Sequence, residues 1–97
     1  MTKVIFRTWK DTKTVIALFP EIKADLAGNC ESYMSKGGHG AANYDHIIRM
    51  TRPSTWREYD QMWGELNQMG YYMLKQIQRK PRRVAYLTPV RERYRYE

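Results

Sequence analysis

Two apolar runs open the chain, Val4-Ile5-Phe6-Arg7-Thr8-Trp9 and Thr14-Val15-Ile16-Ala17-Leu18-Phe19, separated by the polar stretch Lys10-Asp11-Thr12-Lys13. β-branched and aromatic side chains suit a pleated surface, so the pattern predicts a hairpin whose second strand is stopped by Pro20. A half-solvated strand alternates apolar and polar with period two. These runs do not alternate cleanly, which predicts a hairpin that is central or covered on both faces.

Residues 21–29 read as a loop, and Cys30 to Met34 as a short third strand. Ser35-Lys36-Gly37-Gly38-His39-Gly40-Ala41-Ala42-Asn43 follows and reads as a glycine-rich loop. Asn43 is a good helix cap, and Tyr44, Ile47 and Ile48 recur at helical spacing. One or two turns are expected there, ended by Thr51-Arg52-Pro53.

The clearest periodicity runs from Thr55 to Met69. Thr55 and Glu58 fit a capping box, in which each side chain satisfies the other residue's amide. Trp56, Tyr59, Met62, Trp63, Leu66 and Met69 form an apolar stripe, read as core. Gly64 is expected to mark a close approach of this helix to the sheet. Gly70 fits the glycine that follows a helix end. Tyr71 to Gln78 reads as a last strand, Val84 to Leu87 as a short added strand, and the residues after Pro89 as an edge strand or tail.

The fold class expected is α+β: a small antiparallel β-sheet of about four strands, order β-β-β-α-α-β, with one main helix packed on one face. Ninety-seven residues make one core, placed at 1–78, with a basic Arg/Tyr-rich extension at 79–97. One cysteine, Cys30, permits no internal disulfide and suits a reducing cytoplasm. No run approaches the length needed to span a bilayer, so no membrane partner is expected.

The net charge of +7 is uneven. Residues 1–78 hold ten Lys/Arg against eight Asp/Glu, and residues 79–97 hold seven against two. Such concentration implies an anionic partner. Arg79, Lys80, Arg82, Arg83, Arg91, Arg93 and Arg95 are interleaved with Tyr86, Tyr94 and Tyr96. Arginine neutralises phosphates and stacks on bases, and tyrosine offers a planar face to an unstacked base. The combination points to single-stranded or structured nucleic acid, with Arg49, Arg52 and Lys75 as possible extensions of the patch. An acidic host protein is the competing partner, and a homo-oligomer is compatible with the sequence.

A second candidate is the glycine segment. Lys36, Gly37, Gly38, His39 and Gly40 form an expected anion or nucleotide site, with amides turned toward one point beside a helix start. The residues match neither the P-loop nor the dinucleotide fingerprint. Histidine is the side chain suited to exchanging protons at physiological pH, and His39 could pair with Cys30 or Glu31, or join Asp45 and His46 around zinc. None of these has a recognised spacing, so neither a catalytic site, a metal site nor a cofactor is expected.

Taken in order, Val4-Ile5-Phe6-Arg7 with Lys10-Asp11, Val15 to Glu21, Ser32-Tyr33-Met34, Gly38-His39-Gly40-Ala41-Ala42, Thr51-Arg52-Pro53, Glu58-Tyr59 and Gly70-Tyr71 form an ordered set. The set resembles a family of small proteins common in tailed bacteriophages and related mobile elements. The resemblance spans roughly residues 3–78. It implies a phage-type setting in a bacterial cytoplasm and a compact α+β domain, with no assigned reaction. Two functions are therefore expected. One is a non-enzymatic accessory protein binding nucleic acid through its tail. The alternative is an anti-defence protein that inhibits a host factor by contact, or sequesters a nucleotide in the glycine segment.

Overall fold

The computed structural model describes residues 2–71 and 73–78. Among these residues the elements are β1 (Thr2–Trp9), β2 (Val15–Lys23), β3 (Cys30–Met34), β4 (Gly38–Ala42), α1 (Tyr44–Met50), β5 (Thr51–Pro53), α2 (Trp56–Gln68) and β6 (Leu74–Gln76). The fold is α+β, as the sequence pattern predicts, with six strands rather than about four. The sheet order is β4-β3-β2-β1-β5. One edge of β1 pairs with β2, and the other is divided between two short strands. Thr2, Lys3 and Val4 pair in parallel with β6, and Arg7, Thr8 and Trp9 pair antiparallel with β5.

Period two sorts β1 and β2 between two cores. Val4, Phe6, Ala17 and Phe19 join Tyr33, Met62 and Leu66 under α2. Ile5, Ile16 and Leu18 join Cys30, Ala42 and Ile47 under α1. The sheet is covered on both faces, which explains why the first two apolar runs fail to alternate.

Several expectations are corrected. Pro20 does not stop β2. The register jumps from Phe19↔Glu31 to Lys23↔Cys30, so Pro20 lies in a bulge, where the ladder does not need its missing N–H. The glycine segment contains β4, and β5 follows α1 without a gap. The last strand is shorter than Tyr71 to Gln78. Gly64 faces open space rather than the sheet. The expected strand at Val84 to Leu87 lies outside the described residues.

The caps follow the sequence closely. The Thr55–Glu58 box is complete, and Gly70 has φ +88° just past the end of α2. At α1 the Asn43 side chain accepts from the His46 amide at 3.0 Å. A seven-residue helix is too short to hold itself, so it needs tertiary anchors.

Arg7 supplies one from the middle of the sheet. It is 9% exposed. Its Nε donates to Thr51 Oγ1 at 3.0 Å, and its Nη2 donates to the carbonyls of Thr51 at 2.8 Å and Ile48 at 3.2 Å. Thr51 Oγ1 in turn donates to the Ile47 carbonyl. Among the described residues no carboxylate pairs with Arg7. The negative end of α1 takes that place, offering unsatisfied carbonyls and dipole charge together. Burial pushes the guanidinium pKa below its ordinary value.

A second polar anchor lies at the start of α2. Arg52 grips Glu58 with two bonds, 2.8 and 2.6 Å, and the Thr55 amide donates to the same carboxylate at 2.8 Å. These contacts, led by Arg52, pull the Glu58 pKa from 4.5 to about 2.

Two predictions follow from these anchors. Arg7→Ala strands buried carbonyls and is expected to cost about 2–3 kcal/mol in urea unfolding. Amide exchange should accelerate in α1 before α2, and equal protection of both helices would refute the anchoring role. For Glu58 the folded-state pKa is depressed, so its contribution is present above pH 4.5 and lost as pH falls toward about 2. The carboxylate is partly solvated, which reduces the effect. Glu58→Gln should lower stability at pH 7 by about 1 kcal/mol and flatten the acid limb of Tm against pH in that window.

Candidate functional site

The glycine segment forms the outer hairpin of the sheet. Ser35, Lys36 and Gly37 make the turn, Gly38 leaves it with φ +70°, and β4 pairs back on β3 through Tyr33↔His39 and Ser32↔Gly40. Successive residues of a strand point to opposite faces, and their amides alternate in direction likewise. The amides of Gly38, His39 and Gly40 therefore do not converge on one point as a phosphate-holding loop requires. Lys36 lines a different cavity from theirs. With Thr14, Ser35, Glu58 and Gln61 it lines a cavity of about 440 Å³. Gly37 to Gly40 line another of about 410 Å³ with Ile16, Ser32 and Ile47.

His39 points to the α2 side. Its Nε2 lies 2.5 Å from the Tyr71 hydroxyl, and its ring is 5.0 Å from that of Tyr33. Tyr71 stacks on Phe19 with ring centroids 4.8 Å apart. Beside this pair, Glu65 Oε1 accepts from Ser35 Oγ at 2.9 Å and Tyr33 OH at 3.0 Å, while Gln61 donates to Oε2 at 3.2 Å. The Ser35 bond leads in holding the Glu65 carboxyl below the usual range. Burial, then the bond to Glu65, pushes the Tyr33 phenol up.

These contacts tie the β3–β4 hairpin to the end of α2. They do not assemble the nucleophile and base weighed from sequence. Cys30 is buried in the α1-side core, whereas His39 meets Tyr33 and Tyr71 on the α2 side. The His39, Asp45 and His46 grouping is not formed either. Among the described residues no group of three potential metal-ligating side chains comes together.

Of the cations proposed to widen a basic surface, Arg49 and Lys75 are exposed and Arg52 is held by Glu58. Arg79, Lys80, Arg82, Arg83, Tyr86, Arg91, Arg93, Tyr94, Arg95 and Tyr96 lie outside the described residues. No helix among the described residues is long and apolar enough to cross a membrane.

The core reading of the α2 stripe needs amendment at its ends. Met62 and Leu66 are buried, but Trp56 is 62% exposed and Met69 is 47% exposed. Trp56, Tyr59, Asp60, Trp63 and Gln76 line a slot of about 290 Å³. Helical spacing alone did not reveal it. The available signal was Asp60, a carboxylate four residues after Trp56 and three before Trp63.

No protein-family model matches the chain, and neither a curated protein nor a solved structure matches it.

Tyr71→Phe keeps the stack on Phe19 and removes the bond to His39. It should lower stability by about 0.5–1.5 kcal/mol in chemical denaturation. An unchanged midpoint would show that this bond does not fasten the hairpin.

Proposed function

We propose that this protein is a non-enzymatic, nucleic-acid-binding accessory protein of the phage type its motifs resemble, acting in the cytoplasm of a bacterial host. In this reading residues 79–97 grip single-stranded or structured RNA or DNA. The observation that carries it is the charge distribution: seven Lys/Arg against two Asp/Glu in the last nineteen residues, interleaved with tyrosine. Cations at that density release counterions from a phosphate backbone, and tyrosines add stacking that tolerates any base.

The body of the chain supports the reading by contrast, because its ten Lys/Arg are nearly balanced by eight Asp/Glu and at least three of the ten are engaged. Lys3 pairs with Glu21, Arg52 pairs with Glu58, and Arg7 is spent on α1. Both faces of the sheet are already covered by α1 and α2. His39 is engaged with Tyr71, a contact that ties the β3–β4 hairpin to the end of α2.

The test compares the full chain with residues 1–78 against a fluorescein-labelled 20-mer, as RNA and as single-stranded DNA, by anisotropy. Truncation should keep the thermal transition and weaken binding by about a hundredfold or more. For six neutralised phosphates, log K for the full chain should fall against log salt with a slope of about −4. His39→Ala should leave binding intact. Unchanged binding by residues 1–78 would defeat the proposal.

A further inference from the structure

The slot on α2 has a composition suited to a ligand. Positions 56, 59, 60 and 63 fall on one side of the helix, because residues three, four and seven apart lie above one another. Tyr59 has one ring face covered by Phe6, with centroids 4.4 Å apart and planes 4° from parallel. Trp63 leans on Phe6 at 6.2 Å and 57°. Trp56, at the first turn, remains largely open to solvent. Gln76 of β6 closes the slot from the sheet side. Asp60 is exposed, and among the described residues it forms no ion pair.

An open indole beside an exposed carboxylate suits a flat ligand that donates hydrogen bonds. A volume of about 290 Å³ is at the small end for a ligand pocket and suits a single ring system. A carboxylate accepts hydrogen bonds and donates none. Guanine presents two adjacent donors, N1–H and N2–H, on its Watson–Crick edge. Adenine, cytosine and uracil place an acceptor beside their donor there. A cationic ligand would also suit indole and carboxylate, but it is disfavoured by charge. The chain carries +7, and its basic extension starts three residues after Gln76. A nucleotide brings the opposite charge on its phosphate.

We infer that the Trp56–Asp60–Trp63 slot receives an unpaired guanine base, stacked on Trp56 and bonded through its two donors to Asp60. The inference rests on the nucleic-acid reading above and adds base selectivity to it.

The test uses the full chain in two arms. In the first, tryptophan emission is followed during titration with GMP, AMP, CMP and UMP. GMP should quench at about tenfold lower concentration than the other three, the discrimination of one good two-bond contact. Asp60→Asn should abolish that preference while quenching persists, and Trp56→Ala should remove most of the quenching. Far-UV circular dichroism checks that both variants fold. In the second arm, a uridine 12-mer with one central guanosine should bind about tenfold tighter than the all-uridine 12-mer, and Asp60→Asn should equalise them.

The arms separate the two proposals. If residues 79–97 do not bind nucleic acid, both 12-mers fail while GMP still reports the slot. If the slot does not take guanine, the 12-mers bind equally well and the extension keeps its role. Equal quenching by all four nucleotides would overturn the inference. Quenching by tetramethylammonium at concentrations matching GMP would overturn it in favour of a cation cage.

Discussion

The fold depends on a buried positive charge satisfied by a helix end. Arg7 lies on the strand that every other part of the sheet is built around, since β1 pairs with β2, β5 and β6. From there its guanidinium reaches the last carbonyls of α1 and the first residue of β5. A buried carboxylate would satisfy the same cation but would itself need desolvation. Backbone carbonyls that have lost their helical partners are already present, and they carry the negative end of the dipole. The same residue, Thr51, caps the helix, accepts from Arg7 and begins β5, so one contact fixes both the short helix and the strand that seals half of the β1 edge.

How far the sequence disclosed this architecture depended on the range of the interactions. The β1–β2 hairpin, the Asn43 cap, the Thr55–Glu58 box and the turn at Gly70 are local, and each was legible from residues within a few positions. The two-sided burial was legible too, because apolar side chains at adjacent positions leave no face for water. Pairings across the chain were not. β4 is a strand because β3 offers it a ladder, although glycine and alanine are poor strand formers. β6 is parallel to β1 because the whole of α2 intervenes and returns the chain to the same end of the sheet. Pro20 does not end its strand because a bulge removes the need for its amide, a property of the pairing with β3 rather than of proline.

The candidate site shows the same division. The sequence places His39 in an anion site, whereas in the fold its side chain meets Tyr71, a partner 32 residues distant that local pattern does not reveal. Its effect is to fasten an outer strand whose glycines and alanines have little surface to bury. β4 is also short, which limits the length of unpaired backbone presented at the sheet edge. Composition did reveal the concentration of arginine beyond Gln78, because charge counts do not depend on folding.

Under the proposed function, β6 is the element that makes body and extension cooperate. Gln76 closes the slot on the α2 side, and the next residue, Ile77, packs into the α1-side core and donates its amide to the Val4 carbonyl at 2.8 Å. The chain is therefore held in place within three residues of Arg79. Contacts to phosphate give affinity without sequence information, whereas a base held by stacking and a carboxylate gives information with little affinity of its own. Tethered this closely, the second contact becomes intramolecular once the first has formed, so a weak slot can still bias where a strongly basic segment comes to rest. A carboxylate in a nucleic-acid site would ordinarily oppose phosphate. In that reading the chain's net charge of +7 offsets the repulsion, leaving Asp60 to discriminate among bases by the donors they present.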